Sequence, residues 1–374
     1  MSDKISNNVT PIDLEFVQMW LFQSSKKLNL SKIYEAIPKD VSKNDPNIQW
    51  VSEHMANPVE KNFTLEGQNY VSEITPATTK DKKTGEYKSR FPELREARIE
   101  YAIISIVSKQ YIDIETDSQH NKIFRLYTTY YQIQKEIIDA INKVDNKSLK
   151  PQNCPYNITE IKEALEVLKK TNITVRQETG EGVYIFTRIK DISLDNKKVC
   201  IELGTMITSY INNGDWIATD THRILASRGR YELRLRVLLN LRFRYASKGA
   251  SYTAFLSFLI DAIDFVESKQ KRTTLQRMVK ELEKMDEVEH LDIEKVYDGR
   301  RLIDAKISIH ASENFVSTMI ENNKLSKRTK TSLIDENGLP LIEPLLSDFQ
   351  SKAEYHKAKV QYQIDQGKAL FNRK

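Results

Sequence analysis

The sequence predicts an α+β, mainly helical fold in which one run of elements occurs twice in tandem, between an N-terminal arm and a C-terminal helical tail. Three observations carry this. Tyr127-Thr-Thr-Tyr and Tyr252-Thr-Ala-Phe each lead into a helix that ends in a near-identical pentapeptide, IIDAI (Ile137–Ile141) and LIDAI (Leu259–Ile263). Each half then shows apolar residues at i, i+4 and i+7, the spacing of one helix face: Ile161, Leu165 and Leu168, then Leu275, Val279 and Leu282. Each of these helices precedes two strand patterns around a tight polar turn.

Taken in order, residues 1–90 form an irregular arm. It holds one apolar helix, Ile12–Phe22, docked on the body of the protein or offered to a partner. It closes on TPATTKDKKTGEYKSR, whose composition is that of a linker or mobile loop. Residues 91–214 form the first unit. A helix over Glu93–Lys109 is followed by the Tyr127 segment and its helix, then by the Ile161 helix, and last by strands over Asn172–Gln177 and Val183–Ile189. Residues 215–323 form the second unit. A helix around Arg230–Tyr245 is preferred to a strand there because the segment is long and rich in Leu and Arg. The Tyr252 segment, the Leu275 helix and strands over Leu291–Tyr297 and Leu302–Ile309 follow, the strands meeting at Asp298-Gly-Arg-Arg. Thr128 and Thr253 stand where helix N-caps are expected. Residues 324–374 make a partly helical tail. Three helices and a hairpin, twice over, is the element order of a winged helix-turn-helix domain in tandem.

Of 374 residues, 40% are hydrophobic and 29% charged, a balance that fits folded domains rather than disorder. No segment approaches the ~20 apolar residues of a membrane span, and the first residues lack a signal peptide's apolar core. Cys154 and Cys200 are too far apart for a metal motif or a disulfide framework, so a cytoplasmic location is expected. The net charge of +5 is unevenly spread: Thr221–Lys280 holds thirteen Lys/Arg against four Asp/Glu. A concentrated basic region on a near-neutral chain is the footprint of a nucleic-acid binder.

Within that region, Ser268–Glu289 is expected to be a helix whose charges oppose its dipole. Lys269, Lys271, Arg272 and Arg277 come first, and Glu281, Glu283, Asp286, Glu287 and Glu289 come last. A macrodipole favours the reverse order by roughly 0.3–1 kcal/mol per exposed charge. Polyanionic DNA would compensate, since recognition helices meet the duplex through their N-terminal residues. The candidate DNA-binding residues are Lys269, Lys271, Arg272, Thr273, Thr274, Gln276 and Arg277 on this helix, with Arg300 and Arg301 at the hairpin tip and Arg228 and Arg230 before it. Arg forks onto guanine, Gln onto adenine, and Thr meets phosphate or a thymine methyl. The first-half counterpart, Asn157–Lys170, has Glu160, Glu163 and Glu166 early and Lys169 and Lys170 late, the order a free helix prefers. Lys147, Lys150 and Lys162 are its weaker candidates for DNA contact.

No catalytic residue, metal ligand or cofactor is expected. The six histidines form no HxH or HExxH motif, no GxxxxGK[ST] loop is present, and eleven glycines are few for a nucleotide fold. A non-enzymatic protein follows.

The segments FRLYTTYYQIQKEI, ITEIKEALEVLKKTNI, RGRYELRLRVLLNLRFRY and SYTAFLSFLIDAIDF with KRTTLQRMVKELEKM, in this order, resemble the iteron-binding replication initiators (Rep proteins) of bacterial plasmids, over Phe91 to Asn323. The resemblance implies that the second unit binds direct repeats of double-stranded DNA at an origin. It implies that the first unit touches an adjacent groove or the backbone and serves as a dimer interface in an inactive or self-repressing state. Opening of an AT-rich region and recruitment of host DnaA and the replicative helicase, without nucleotide hydrolysis, are implied too. A winged-helix transcription regulator without a replication role is the alternative.

Overall fold

The computed structural model describes residues 27–31, 37–41, 45, 47–65, 68–81, 84–107, 113–116, 122–178, 183–194, 198–204 and 216–330, with positions 354, 357, 358 and 361. The Ile12–Phe22 helix and most of the tail lie outside these residues.

In chain order, the arm contributes β1 (Lys27–Ser31), β2 (Val59–Leu65), β3 (Gln68–Thr75), β4 (Ala77–Lys80) and β5 (Tyr87–Arg90). The first unit follows with α1 (Leu94–Val107), β6 (Asp113–Thr116), β7 (Lys122–Thr129), α2 (Tyr130–Asp145), α3 (Ile158–Lys170), β8 (Asn172–Gln177), β9 (Val183–Thr187), β10 (Ile189–Leu194) and β11 (Lys198–Leu203). Then come β12 (Trp216–Asp220), α4 (Thr221–Ala226), α5 (Arg230–Arg242), β13 (Ser251–Phe255), α6 (Leu256–Ile263), α7 (Lys271–Glu283), β14 (Val288–Asp298), β15 (Arg301–Ala311) and α8 (Glu313–Lys330). The fold is α+β, but strands rival helices, so the expectation of a mainly helical chain is corrected.

The stretch expected to be a linker is a β-hairpin. β4 and β5 pair from Ala77↔Arg90 to Lys80↔Tyr87, turning at Gly85, whose φ of 74° suits a residue without a Cβ. The arm is also sewn into the first unit. β3 pairs with both β2 and β8, giving the sheet β2-β3-β8-β9.

α1 is the centre of the first core, buried from Glu96 to Val107, and it packs with Ile133 and Ile137 of α2 and Ile161, Leu165 and Leu168 of α3. Burial on all sides forces its polar residues into pairs. Ser105 Oγ donates to Glu136 Oε1 at 2.5 Å, and Glu100 receives Arg188, which is itself fully buried. Arg188 Nε reaches Glu100 Oε1 at 3.0 Å, Nη2 meets Glu100 Oε2, and Nη1 reaches Asp40 Oδ1 at 3.1 Å. Close approach beside it requires Gly204, where a Cβ would lie 2.0 Å from the Thr187 carbonyl oxygen.

The second core gathers Leu235, Leu238 and Leu239 of α5, Leu256, Leu259 and Ile263 of α6, Leu275, Met278 and Leu282 of α7, and Ile307 and Ile309 of β15. Its sheet runs β13-β15-β14. The counterpart in the first unit is β7-β11-β10, within the sheet β10-β11-β7-β6. The hairpin expected to match the second one, β8–β9, is therefore a different piece, bound to the arm's strands.

Both expected caps shift. Thr129, not Thr128, caps α2, its Oγ1 accepting from Gln132 N at 3.1 Å. Thr253 lies in β13 and bonds Ser308 Oγ at 2.9 Å. The start of α6 is satisfied from across the sheet, with Asp304 Oδ1 accepting from Ser257 N at 3.1 Å. A cap supplied by a distant strand leaves no local sequence mark.

Candidate nucleic-acid interface

Helix α7 is shorter than the charged stretch suggested. Its thirteen residues end at Glu283, so Asp286 and Glu287 lie beyond it and Glu289 is in β14. Lys280 stands in its last turn, which further weakens the reversed charge order. What survives is an N-terminus without acids and without a side-chain cap at Gln270. The first N–H groups of a helix have no intrahelical acceptor, so this end suits an anion.

Leu275, Met278 and Leu282 turn α7 onto the second core. The opposite face carries Arg272, Gln276 and Lys280, and Lys269 stands just before the helix; all four are exposed and without side-chain partners among the described residues, with Thr273 half-buried beside them. Arg272, Gln276 and Lys280 are four residues apart, so they share a face. Lys280 was not among the sequence candidates, although that spacing would have found it.

Three candidates on α7 have other work. Thr274 is fully buried, and its Oγ1 accepts from Ser268 N at 2.9 Å. It shapes the turn and is corrected out of the set of candidates for DNA contact. Lys271 Nζ pairs with Glu267 at 3.0 Å. Arg277 Nη1 donates to the Val266 carbonyl at 3.2 Å, with its guanidinium 5.0 Å from the Phe265 ring centroid, so it leans back on the preceding loop while remaining exposed.

The second hairpin projects from the same unit. β14 and β15 have eleven residues each, against six each in β10 and β11. Five further residues at 3.4 Å rise extend it by about 17 Å. Asp298 pairs with Arg301, leaving Gly299 and Arg300 as a two-residue turn, with Gly299 at φ 57°. Positive φ at the first central residue alone is the type II′ geometry, which needs glycine there. Arg300 and Arg301 are exposed at the tip without side-chain partners among the described residues. Ile293, Tyr297 and Ile303 are exposed along the projecting strands.

The arginines around α5 sort into pairs. Arg230 is corrected out of the set of candidates for DNA contact: it pairs with Asp264, and its side chain is only 14% exposed. Asp264, in the left-handed region at φ 53°, also receives Lys61 at 2.6 Å and Arg234 at 3.6 Å. Arg234 donates to the Ile263 carbonyl at 3.0 Å, and burial, with Arg230 beside it, pulls its pKa down to about 10. Arg236 is buried against Glu232 and Glu287, both at 3.1 Å, and Arg223 reaches Asp286 at 3.1 Å. Burial pushes the Glu287 carboxyl up to about 7, opposed by Arg236 and reinforced by Asp286. Arg244 Nε bonds Asn323 at 2.9 Å. Arg228 alone of the candidates here is open, 78% exposed, though within 3.2 Å of Asp145 of α2.

The first unit offers a different surface. α3 starts with a capping box in which Asn157 Oδ1 accepts from Glu160 N at 3.0 Å and Glu160 Oε2 accepts from Asn157 N at 2.8 Å. Lys147 pairs with Asp145 at 2.7 Å, Lys162 lies 5.1 Å over the Tyr130 ring, and Lys150 is exposed. No helix among the described residues is long and apolar enough to cross a membrane.

No protein-family model matches the chain, and no curated protein does. Among solved structures it is similar to the Pi initiator protein in complex with iteron DNA, at 13% identity and a TM-score of 0.39, over 59% of this chain and 91% of that one. It is also similar to domains 2 and 3 of RctB, at 10% identity and a TM-score of 0.42, over 75% of this chain and 98% of that one. A second RctB structure of the same domains gives 11% identity and a TM-score of 0.37, over 74% and 98%. Likeness at this level carries no argument about site or activity.

Proposed function

We propose that this protein is a non-enzymatic, origin-binding replication initiator whose second unit reads double-stranded DNA. One observation carries the DNA-binding part: the partner-free row Arg272, Gln276 and Lys280 on the outer face of α7, with Lys269 exposed just before the helix, in the same unit as a long hairpin tipped by Arg300 and Arg301. Arg272 and Gln276 have the donors for base edges in a major groove, while Lys269, Lys280 and the tip arginines supply phosphate contacts. Thr273 stands beside them, and Arg228 extends the basic surface toward the first unit.

The initiator part rests on the tandem arrangement. Two unequal units in one chain suit successive grooves of a direct repeat, whereas a repressor with one unit per subunit suits an inverted repeat. In this reading the first unit touches backbone or holds a dimer, and origin opening, recruitment of host replication proteins and repression of its own promoter follow from where the protein binds. The exposed Val183 and Ile185 on β9, an end strand of its sheet, support a self-association surface.

Fluorescence anisotropy on duplexes from the flanking DNA of its own gene tests this. Arg272→Ala and Gln276→Ala are each expected to cost about 1–3 kcal/mol of sequence-specific binding while leaving binding to random duplex nearly intact. Unchanged specific affinity in the double variant at physiological salt would overturn the assignment of α7. A footprint on an inverted repeat alone would favour a transcription regulator.

A further inference from the structure

We propose that the outer face of the β13-β15-β14 sheet is a binding site for a divalent transition-metal ion, with His290, His310 and Asp292 as its protein ligands. No HxH spacing announces it, because the ligands come from two strands. Along the hairpin the register is Val288↔Ala311 and then His290↔His310, so Glu289 is an extra residue in β14. This bulge sets the two histidines directly opposite each other. Their rings lie 3.9 Å apart between centroids and within 11° of parallel. Asp292, two residues along the same face, reaches His310 Nε2 at 2.8 Å. One ligand atom from each residue lies within 4.8 Å of the other two.

The chemistry of these groups suits a cation, because a neutral imidazole has a free nitrogen lone pair. Two such nitrogens and a carboxylate oxygen are a ligand set for zinc, which holds them at roughly 2.0–2.2 Å. The exposed His290 and Asp292 and the half-buried His310 would have to turn out of the present stack so that their lone pairs converge on one ion. A metal would take the place of the proton between His310 Nε2 and Asp292. Three protein ligands leave a position for water or for a fourth group.

The placement defines what the ion would do. Leu291, Ile307 and Ile309 have the opposite side-chain parity and pack with the core that α7 covers, so the metal face is turned away from α7. The ion would clip β14 to β15 at the base of the projecting hairpin, beside the Thr253–Ser308 hydrogen bond of 2.9 Å. This inference does not depend on DNA binding.

Zinc titration of the full chain against a chromophoric chelator tests it. One zinc ion per chain is expected, with affinity falling roughly tenfold or more in His290→Gln and in His310→Gln, and unchanged in His54→Gln. Cobalt substitution gives a second readout on the unaltered protein. Visible d–d bands without thiolate charge transfer are expected from nitrogen and oxygen ligands. No zinc bound at about 100 µM, a weak-binding limit, would overturn the proposal. So would a thiolate band from Cys154 or Cys200, or full affinity in a folded variant carrying both His290→Gln and His310→Gln.

Discussion

At α3 the chain completes its own helix start, with Asn157 and Glu160 exchanging hydrogen bonds and Lys169 and Lys170 closing the far end. At α7, in the same place in the element order, Gln270 offers no side-chain cap, no acid stands in the first turn, and Arg272 and Gln276 face outward without partners among the described residues. The hairpins diverge likewise, six-residue strands in the first unit and eleven-residue strands in the second. The start of α3 has satisfied its donors internally, whereas the outer face of α7 leaves donors and cations open. Two helices in the same place in the element order can thus present unlike surfaces, and the local side chains decide whether each needs a partner.

The comparison can be broken most forcefully inside the first unit. Arg188→Met would strand the buried carboxylates of Glu100 and Asp40 and is expected to cost about 3–5 kcal/mol in urea unfolding. DNA affinity per folded molecule should stay the same, and its loss would give the first unit a direct part in reading DNA. Next in size is a pH effect in the second unit. Glu287 has a folded pKa of about 7 against an ordinary 4.5, so its proton binds more tightly in the folded state. The stabilisation is present below about pH 4.5 and lost as pH rises through 7, at most about 3 kcal/mol. Glu287→Gln should remove this difference between unfolding curves at pH 5 and pH 8.

A smaller change is expected at the hairpin tip. Arg300→Ala with Arg301→Ala should reduce the slope of log affinity against log salt by about 0.9 for each phosphate no longer neutralised, with base preference retained. An unaltered slope would take the tip out of the interface. The smallest contrast compares the two helix starts. Asn157→Ala should cost about 1 kcal/mol of stability, and Gln270→Ala no more than a few tenths, both read by thermal unfolding.

Patterns within a single element were legible in the sequence. The Ile161 and Leu275 faces, the α5 helix and the Asp298 turn follow from periodicity and turn chemistry. Pairings across the chain were not. The β4–β5 hairpin was hidden by its polar composition, and the match of β10–β11 to β14–β15 was hidden because β8–β9 intervenes. The exposure of Arg272, Gln276 and the tip arginines was legible from residue type and placement. Thr274 and Arg230 were misassigned because the groups that engage them, Ser268 N and Asp264, are fixed by tertiary geometry. The histidine pair needed the bulge at Glu289, which shifts the register by one residue.

The sheet that binds the arm to the first unit also sets an order of events during synthesis. β3 pairs with β8 from Tyr70↔Gln177 to Thr75↔Asn172, so β3 leaves the ribosome about a hundred residues ahead of its partner. At 5–20 residues per second that wait is roughly 5–20 s, during which an unpaired strand edge is open to other chains. β13, β14 and β15 all emerge within about sixty residues, between Ser251 and Ala311. The second unit can thus close its sheet promptly, while the first must hold a half-made one, and chaperone demand during translation should fall on the N-terminal half.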